Sequence, residues 1–268
     1  MAKVKMYILD HGRVECDKAW LLALNKVATV NDKNPGTDWV AVPTLTFVID
    51  HPEGKIIYDN TCHPEGMKGR WPEFIRESFP WYHTVEDLLP NRLKEIGLTP
   101  ADIDHVIISH LHMDHAGNLE LFKHAKIYVH KTELEQAFYQ TNVLPPGSSA
   151  YVREDLIPNL QYVPVTVDME LFEGVEVVAL EGHTPGILGL MLHLEKTGTI
   201  ICPSDAIYSK ENYGPPPVPP GIIYDTLGFF RTVEKVRRLQ QKHKAQIFYA
   251  HDMDQFQNEY RLAPEYYE

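Results

Sequence analysis

Short apolar runs separated by turn-forming residues dominate the chain, and helical spacing emerges in only a few windows. Met6-Tyr7-Ile8-Leu9 reads as a strand, and residues 44–50 followed by 55–59 read as a hairpin turning at His51-Pro52-Glu53-Gly54. Between them, Trp20-Leu21-Leu22-Ala23-Leu24 is an apolar patch expected in the core, with a substrate-facing wall as the alternative. Over residues 84–96, Val85, Leu88, Leu89, Leu93 and Ile96 recur at helical spacing, with Thr84 and Asp87 as an N-terminal cap and Gly97 as the stop. Pro90 lies inside that window and implies a kink, or a later start near Asp87. A strand over 105–108, a short helix over 119–122 and a strand over 126–129 follow. Thr132 with Glu135 then caps a helix that ends before Pro145-Pro146-Gly147.

The second half repeats one device. Val175-Glu176-Val177-Val178-Ala179-Leu180 runs into Glu181-Gly182-His183-Thr184, Thr199-Ile200-Ile201-Cys202 into Pro203-Ser204-Asp205, and Gln246-Ile247-Phe248-Tyr249 into Ala250-His251-Asp252. Each run reads as a buried strand that delivers a His or Asp past its carboxyl end, where the ligands of α/β proteins gather. The strand before Ser109 does the same with His110, His112, Asp114 and His115. Residues two apart on a helix diverge, so His110 and His112 converge on one ion only from an irregular turn, leaving Asp114 and His115 for a second ion.

Composition narrows the class. A chain of 268 residues that is 44% hydrophobic, without low-complexity interruptions, is expected to form one domain over 1–268. Its 25 basic and 37 acidic residues give a net charge of -12, which argues against a nucleic-acid partner. No run approaches a membrane span and no signal-peptide segment is evident, so a cytoplasmic protein is expected. Cys16, Cys62 and Cys202 are widely spaced and unpaired, which fits a reducing compartment and leaves sulfur out of the ligand set.

The ordered set His110, His112, Asp114, His115, His183, Asp205, His251 resembles the dinuclear members of the metallo-β-lactamase superfamily. That resemblance covers essentially the whole chain and implies an α/β protein, an αββα sandwich of two mixed β-sheets flanked by helices. Asp205-Ala206-Ile207-Tyr208, the following Ser209-Lys210-Glu211-Asn212, and Phe248 to Asp252 with Pro264-Glu265-Tyr266-Tyr267 resemble the N-acyl-homoserine lactone lactonases. Two positions depart from the pattern. Asp59-Asn60-Thr61-Cys62 stands where many members have Asp-Thr-Gly, and Ile187 stands where a second His is common; neither is expected to touch a ligand.

The resemblance implies a quorum-quenching hydrolase that opens the homoserine lactone ring by attack of a hydroxide shared between two divalent ions. One ion would take His110, His112 and His183, the other Asp114, His115 and His251, with Asp205 bridging. Such N and O ligands suit Zn2+, with Co2+, Mn2+ or Fe2+ also compatible. By the same resemblance Tyr208 bonds the carbonyl oxygen and Asp114 passes a proton to the leaving alkoxide. The partner implied is a small lactone, with no nucleic acid, no membrane and a homodimer allowed. Competing readings are a hydrolase of another lactone such as one derived from pyridoxine, a glyoxalase-II-like thioesterase, and a structural metal protein. The proline-rich segment 213–221 is stiff and reads either as a pocket roof, as a contact to a second subunit, or as a surface connection to the helix over 225–243.

Overall fold

Period-2 burial along the strands explains why they stack face to face. The computed structural model describes residues 3–145 and 149–268, and among these the strands form two mixed sheets. The first contains β1 (Lys5–Asp17), β2 (Trp39–His51), β3 (Gly54–Tyr58), β4 (Trp81–Tyr82), β5 (His105–Ile107), β6 (Lys126–His130) and β7 (Gln161–Val165), in the order β4-β1-β2-β3-β5-β6-β7. The second contains β8 (Met169–Phe172), β9 (Val175–Leu180), β10 (Ile187–Leu194), β11 (Gly198–Cys202) and β12 (Gln246–Ile247), in the order β12-β11-β10-β9-β8.

Phe47 and Ile49 of β2, Ile56 and Tyr58 of β3, and Leu188, Leu190 and Leu192 of β10 point into the space between the sheets and share one apolar cluster. The intervening Val48, Ile57, Val106, Ile127 and Val129 face outward, where Leu89 and Leu93 of the helix Leu89–Glu95 cover them. On the opposite outer face Val178, Leu180 and Ile201 meet Phe229, Val233 and Val236 of the helix Thr226–His243. Layers therefore run helix, sheet, sheet, helix, the sandwich that the resemblance implied. Beneath the functional end, the Tyr58 hydroxyl donates to the Leu188 carbonyl at 2.7 Å and ties the two sheets together. Among the described residues no helix is long and apolar enough to cross a membrane.

Several expected boundaries shift, each for a local reason. The helix expected over 84–96 begins at Leu89, close to the later start that Pro90 implied, because Thr84 and Asp87 close a turn on each other through the Thr84 amide and hydroxyl. Pro90 then occupies the first helical turn, where a missing N–H costs nothing. Thr132 does not cap its helix, which starts after His130; its hydroxyl instead donates across to the Pro185 carbonyl at 3.2 Å. Residues 146 and 147 of the expected breaker lie outside the described residues. The Trp20–Leu24 patch is only the edge of the core: Trp20 and Leu21 are partly buried against the cluster around Trp71, whereas Leu24 is 83% exposed.

His11 lies in β1 at the bulge between Asp10 and Arg13. It is completely buried, with Nδ1 donating to the Asp87 carbonyl at 2.6 Å and Nε2 unpartnered among the described residues. Burial pushes its pKa down to about 4, the Asp87 bond working the other way. An unfolded histidine takes its proton near the ordinary 6.5. The neutral folded form therefore contributes its full stability above that value and loses it as the pH falls towards 4. Denaturant melts of metal-free protein at pH 7 and pH 5 are expected to show about 2 kcal/mol lost through this residue. The loss should be absent in His11→Gln; parallel pH dependences in the two proteins would exclude His11 as its source.

Candidate metal centre

Five strands point their carboxyl ends at one region. In the first sheet β3 and β5 are parallel, and in the second β9 and β11 both run antiparallel to β10 while β12 runs parallel to β11. The chain leaves β5 into Ser109–His115, β9 into His183, β11 into Asp205 and β12 into His251. All seven residues singled out by the sequence meet there. The fifth strand, β3, delivers Asp59, which the sequence reading placed near the site but off its ligands.

The donors sort into two trios around one carboxylate. His183 Nε2 lies 3.2 Å from His110 Nε2 and 2.9 Å from His112 Nδ1. Asp114, His115 and His251 turn their donor atoms towards each other, with Asp114 Oδ2 3.6 Å from His115 Nε2 and 3.7 Å from His251 Nε2. Asp205 stands between. Its Oδ2 is 3.6 Å from His110 Nε2 and 3.5 Å from His183 Nε2, and its Oδ1 is 3.2 Å from His115 Nε2 and 3.1 Å from His251 Nε2.

Four of the five outward nitrogens are anchored, which sets the tautomer that those rings present. His183 Nδ1 donates to the Ile222 carbonyl at 3.2 Å and His251 Nδ1 to the Pro43 carbonyl at 3.0 Å. His115 Nδ1 donates to Asp59 Oδ2 at 2.8 Å, and His110 Nδ1 lies 3.0 Å from the Ser109 hydroxyl. Asp59 also accepts the Ser109 amide at 2.7 Å and the Ser109 hydroxyl at 2.8 Å. This corrects the expectation that the Asp59 motif touches no ligand residue. With Nδ1 carrying the proton, the Nε2 of His183 presents a bare lone pair to two other imidazoles.

Electrostatics separate the trios. Burial, reinforced by the neighbouring imidazoles, holds His110 and His112 well below the ordinary histidine range, and burial holds His183 down against the pull of Asp205. For His115 and His251 burial also disfavours the charge, but Asp205 and Asp114 override it and raise both. His115 and His251 in turn hold Asp205 well below the carboxylate range despite its burial. The first trio thus offers neutral lone pairs, whereas cation uptake at the second must displace protons. His115 Nε2 and Asp205 Oδ1 are buried without a satisfying hydrogen bond among the described residues. Converging lone pairs, unsatisfied buried donors and an all-N/O set fit divalent cations.

Tyr208 is buried and turns its hydroxyl to His183 Nδ1, 3.1 Å away. A cavity of about 310 Å³ opens onto His112 and His183, walled by Trp20, Phe79, Tyr151, Ile222 and Tyr224. Trp20 therefore joins its core contacts to a place in the wall, the alternative the sequence allowed. The end of the proline-rich segment is tied to that wall: the Gly221 and Ile222 amides donate to the Trp20 carbonyl at 3.0 and 3.1 Å. A side chain at Gly221 would put Cβ 2.0 Å from the Ala19 carbonyl oxygen. Met113 packs inward with Cys16, Cys62 and Trp71.

Comparison with known proteins agrees with this architecture. The family model of the metallo-beta-lactamase superfamily matches residues 39–247. The N-acyl homoserine lactonase AiiB of Agrobacterium fabrum is 32% identical, covering 98% of this chain and 99% of its own length. The N-acyl homoserine lactonase AiiA of Bacillus thuringiensis subsp. kurstaki is 29% identical over 99% of this chain and all of its own. A crystal structure of an N-acyl homoserine lactone hydrolase with the product N-hexanoyl-L-homoserine at its catalytic metal centre superposes with a TM-score of 0.85 at 27% identity, covering 99% of this chain and 100% of that one. AidC, a dizinc quorum-quenching lactonase, shares the fold at a TM-score of 0.70 and 16% identity, over 99% of this chain and 94% of its own. The sandwich, the gathered His and Asp side chains and these full-length likenesses place the chain in the metallo-beta-lactamase superfamily and, within it, in the N-acyl homoserine lactonase family.

Proposed function

We propose that residues 1–268 act as one hydrolase domain that opens the lactone ring of N-acyl homoserine lactones, with two zinc ions as the resident metals. The observation that carries this reading is a His and Asp cluster whose His112 and His183 open onto a largely apolar cavity with no Lys or Arg in its described lining. That lining suits an acyl chain and offers no cation to grip the carboxylates of glutathione, which disfavours the thioesterase alternative. A volume of about 310 Å³ falls within the range of small-molecule sites. The net charge of -12 and three buried free cysteines support work in a reducing compartment on a small neutral substrate.

His110, His112 and His183 would hold one ion, Asp114, His115 and His251 the other, and Asp205 would span both. Bound there, divalent ions would polarise the ester carbonyl and bring the pKa of water to about 7, supplying a nucleophile at neutral pH. The chain's own groups handle the charge that follows. The Tyr208 hydroxyl, beside His183 and with His251 along the neighbouring pocket, would donate to the carbonyl oxygen as that atom becomes an oxyanion. When the ring C–O bond breaks, the Asp114 carboxylate, through the oxygen not turned to His115 and His251, would deliver the proton taken from water to the departing alkoxide, so that lactone and water yield the open hydroxy acid. Asp59 keeps His115 turned inward, and the cavity wall keeps bulk water from the acyl side.

A pH-indicator assay with metal-loaded protein tests the assignment on acyl-homoserine lactones of different chain length and on S-lactoylglutathione. Lactone turnover is expected, with His251→Ala inactive and Tyr208→Phe lowered about 100-fold in kcat. Turnover of the thioester alone would overturn the lactonase reading. Chelation should abolish turnover while the far-ultraviolet circular dichroism persists, and added Zn2+ should restore it; unfolding on chelation would point to a structural metal. For Asp59→Asn, metal titration should give an affinity about 10- to 100-fold weaker, because an amide nitrogen or a single acceptor replaces the carboxylate behind His115.

A further inference from the structure

Glu133 lies in the first turn of the helix Lys131–Asn142, where a carboxylate ordinarily serves the helix's own amides. Here the helix has no side-chain cap, and Glu133 is completely buried. Its Oε1 accepts the Leu111 amide at 2.8 Å, between His110 and His112 in the chain. Its Oε2 and the hydroxyls of Tyr151 and Thr184 are buried with no satisfying hydrogen bond among the described residues, and both hydroxyls lie near enough to the carboxyl to favour its charged form. Thr184 directly follows His183. Tyr151 pairs its backbone with His112 and packs its ring against that imidazole, with 4.6 Å between centroids. One carboxylate thus reaches both turns that carry the His110, His112 and His183 trio, and the cavity wall beside them.

We propose that Glu133 is a positioning residue that sets the spacing of His110 and His112 against His183, through the Leu111 amide on one side and the Thr184 hydroxyl on the other. The inference deepens the two-metal reading above and rests on it. Buried amides and hydroxyls left unpaired are costly, so the Leu111 amide that Glu133 accepts and the two otherwise unsatisfied hydroxyls beside it depend on this carboxyl and on each other's placement. The spacing at stake is the 2.9 to 3.2 Å between His183 Nε2 and its two neighbours. A residue that merely filled this space would need no acceptor, and that difference makes the role testable.

Metal-free wild-type, Glu133→Gln, Glu133→Met and Thr184→Val proteins are titrated with Co2+ alone, reading apparent affinity and the visible spectrum of the bound ion, beside thermal melts. Gln keeps an acceptor for Leu111, Met fills similar space without one, and Val removes a single hydroxyl. Glu133→Met is expected to weaken Co2+ binding about 10- to 100-fold and to change the spectrum. Glu133→Gln should stay within about 5-fold of wild type, and Thr184→Val should lose about 3-fold with no further loss when added to Glu133→Met, since both act through one contact. Glu135→Gln on the exposed side of the same helix serves as the control and should change none of these readings. Lower melting temperatures with wild-type Co2+ affinity and spectrum would make Glu133 a structural filler and overturn the proposal. Should Glu133→Met not fold, Thr184→Val decides by the same criterion. Wild-type protein that fails to bind Co2+ would overturn the two-metal reading itself, a result distinct from binding that wild type and variants share.

Discussion

Five imidazoles and two carboxylates converge where water is largely excluded, and the rest of the molecule is arranged around that concentration of donors. Left to themselves, groups of this kind would relax by hydrogen-bonding to each other or by drawing in water. The fold prevents this by spending their outer nitrogens elsewhere: on the carbonyls of Pro43 and Ile222, on Asp59 and on Ser109. Those four rings then have only their inward atoms free. Holding lone pairs 2.9 to 3.2 Å apart costs stability in the metal-free protein, and divalent cations are the species that turn the cost into binding.

Backbone strain gathers in the same place. Asp59, Thr61 and Ser204 adopt left-handed conformations with φ of 59°, 57° and 49°, which side chains, and β-branched ones above all, rarely occupy. They are the residues where β3 and β11 turn into the site. Thr61 stands in the Asp59-Asn60-Thr61-Cys62 stretch that departs from the Asp-Thr-Gly pattern, and its positive φ accounts for glycine being the easier residue there. The turn is kept because the Thr61 carbonyl accepts the Gly117 amide at 2.8 Å, while a Cβ at Gly117 would lie 2.2 Å from the His63 nitrogen. Close approach at Gly117 thus substitutes for freedom at Thr61, and Asp59 keeps its hold on His115 and Ser109.

Much of this was legible before the fold was known, and the limit has a physical cause. His110, His112, Asp114 and His115 announce themselves because their spacing is local, and His183, Asp205 and His251 because each closes an apolar run. Residues acting through long-range backbone contacts leave no such mark: Pro43 serves His251 from 208 positions away and Asp59 serves His115 from 56. Glu133 is hidden for another reason. A glutamate near a helix start carries an ordinary explanation as a capping or dipole residue, and only its complete burial shows that its charge is used elsewhere. The Trp20 patch left two readings open, since an apolar run next to a metal centre lines a substrate wall as readily as a core.

Charge balance links the two halves of the site. Divalent cations held there would concentrate positive charge that only the carboxylates of Asp59, Asp114 and Asp205 offset directly, the neutral first trio contributing none. A neutral lactone would gain little from that charge, but an oxyanion forming at its carbonyl would gain more, because the surroundings are buried and poorly screened. The apolar wall reinforces the bias: it supplies no cation that would stabilise an anionic ground state and so offset the gain at the transition state. Substrate recognition by shape and apolar contact, with charge reserved for the reacting atoms, is the division of labour that this arrangement of strand ends and cavity wall produces.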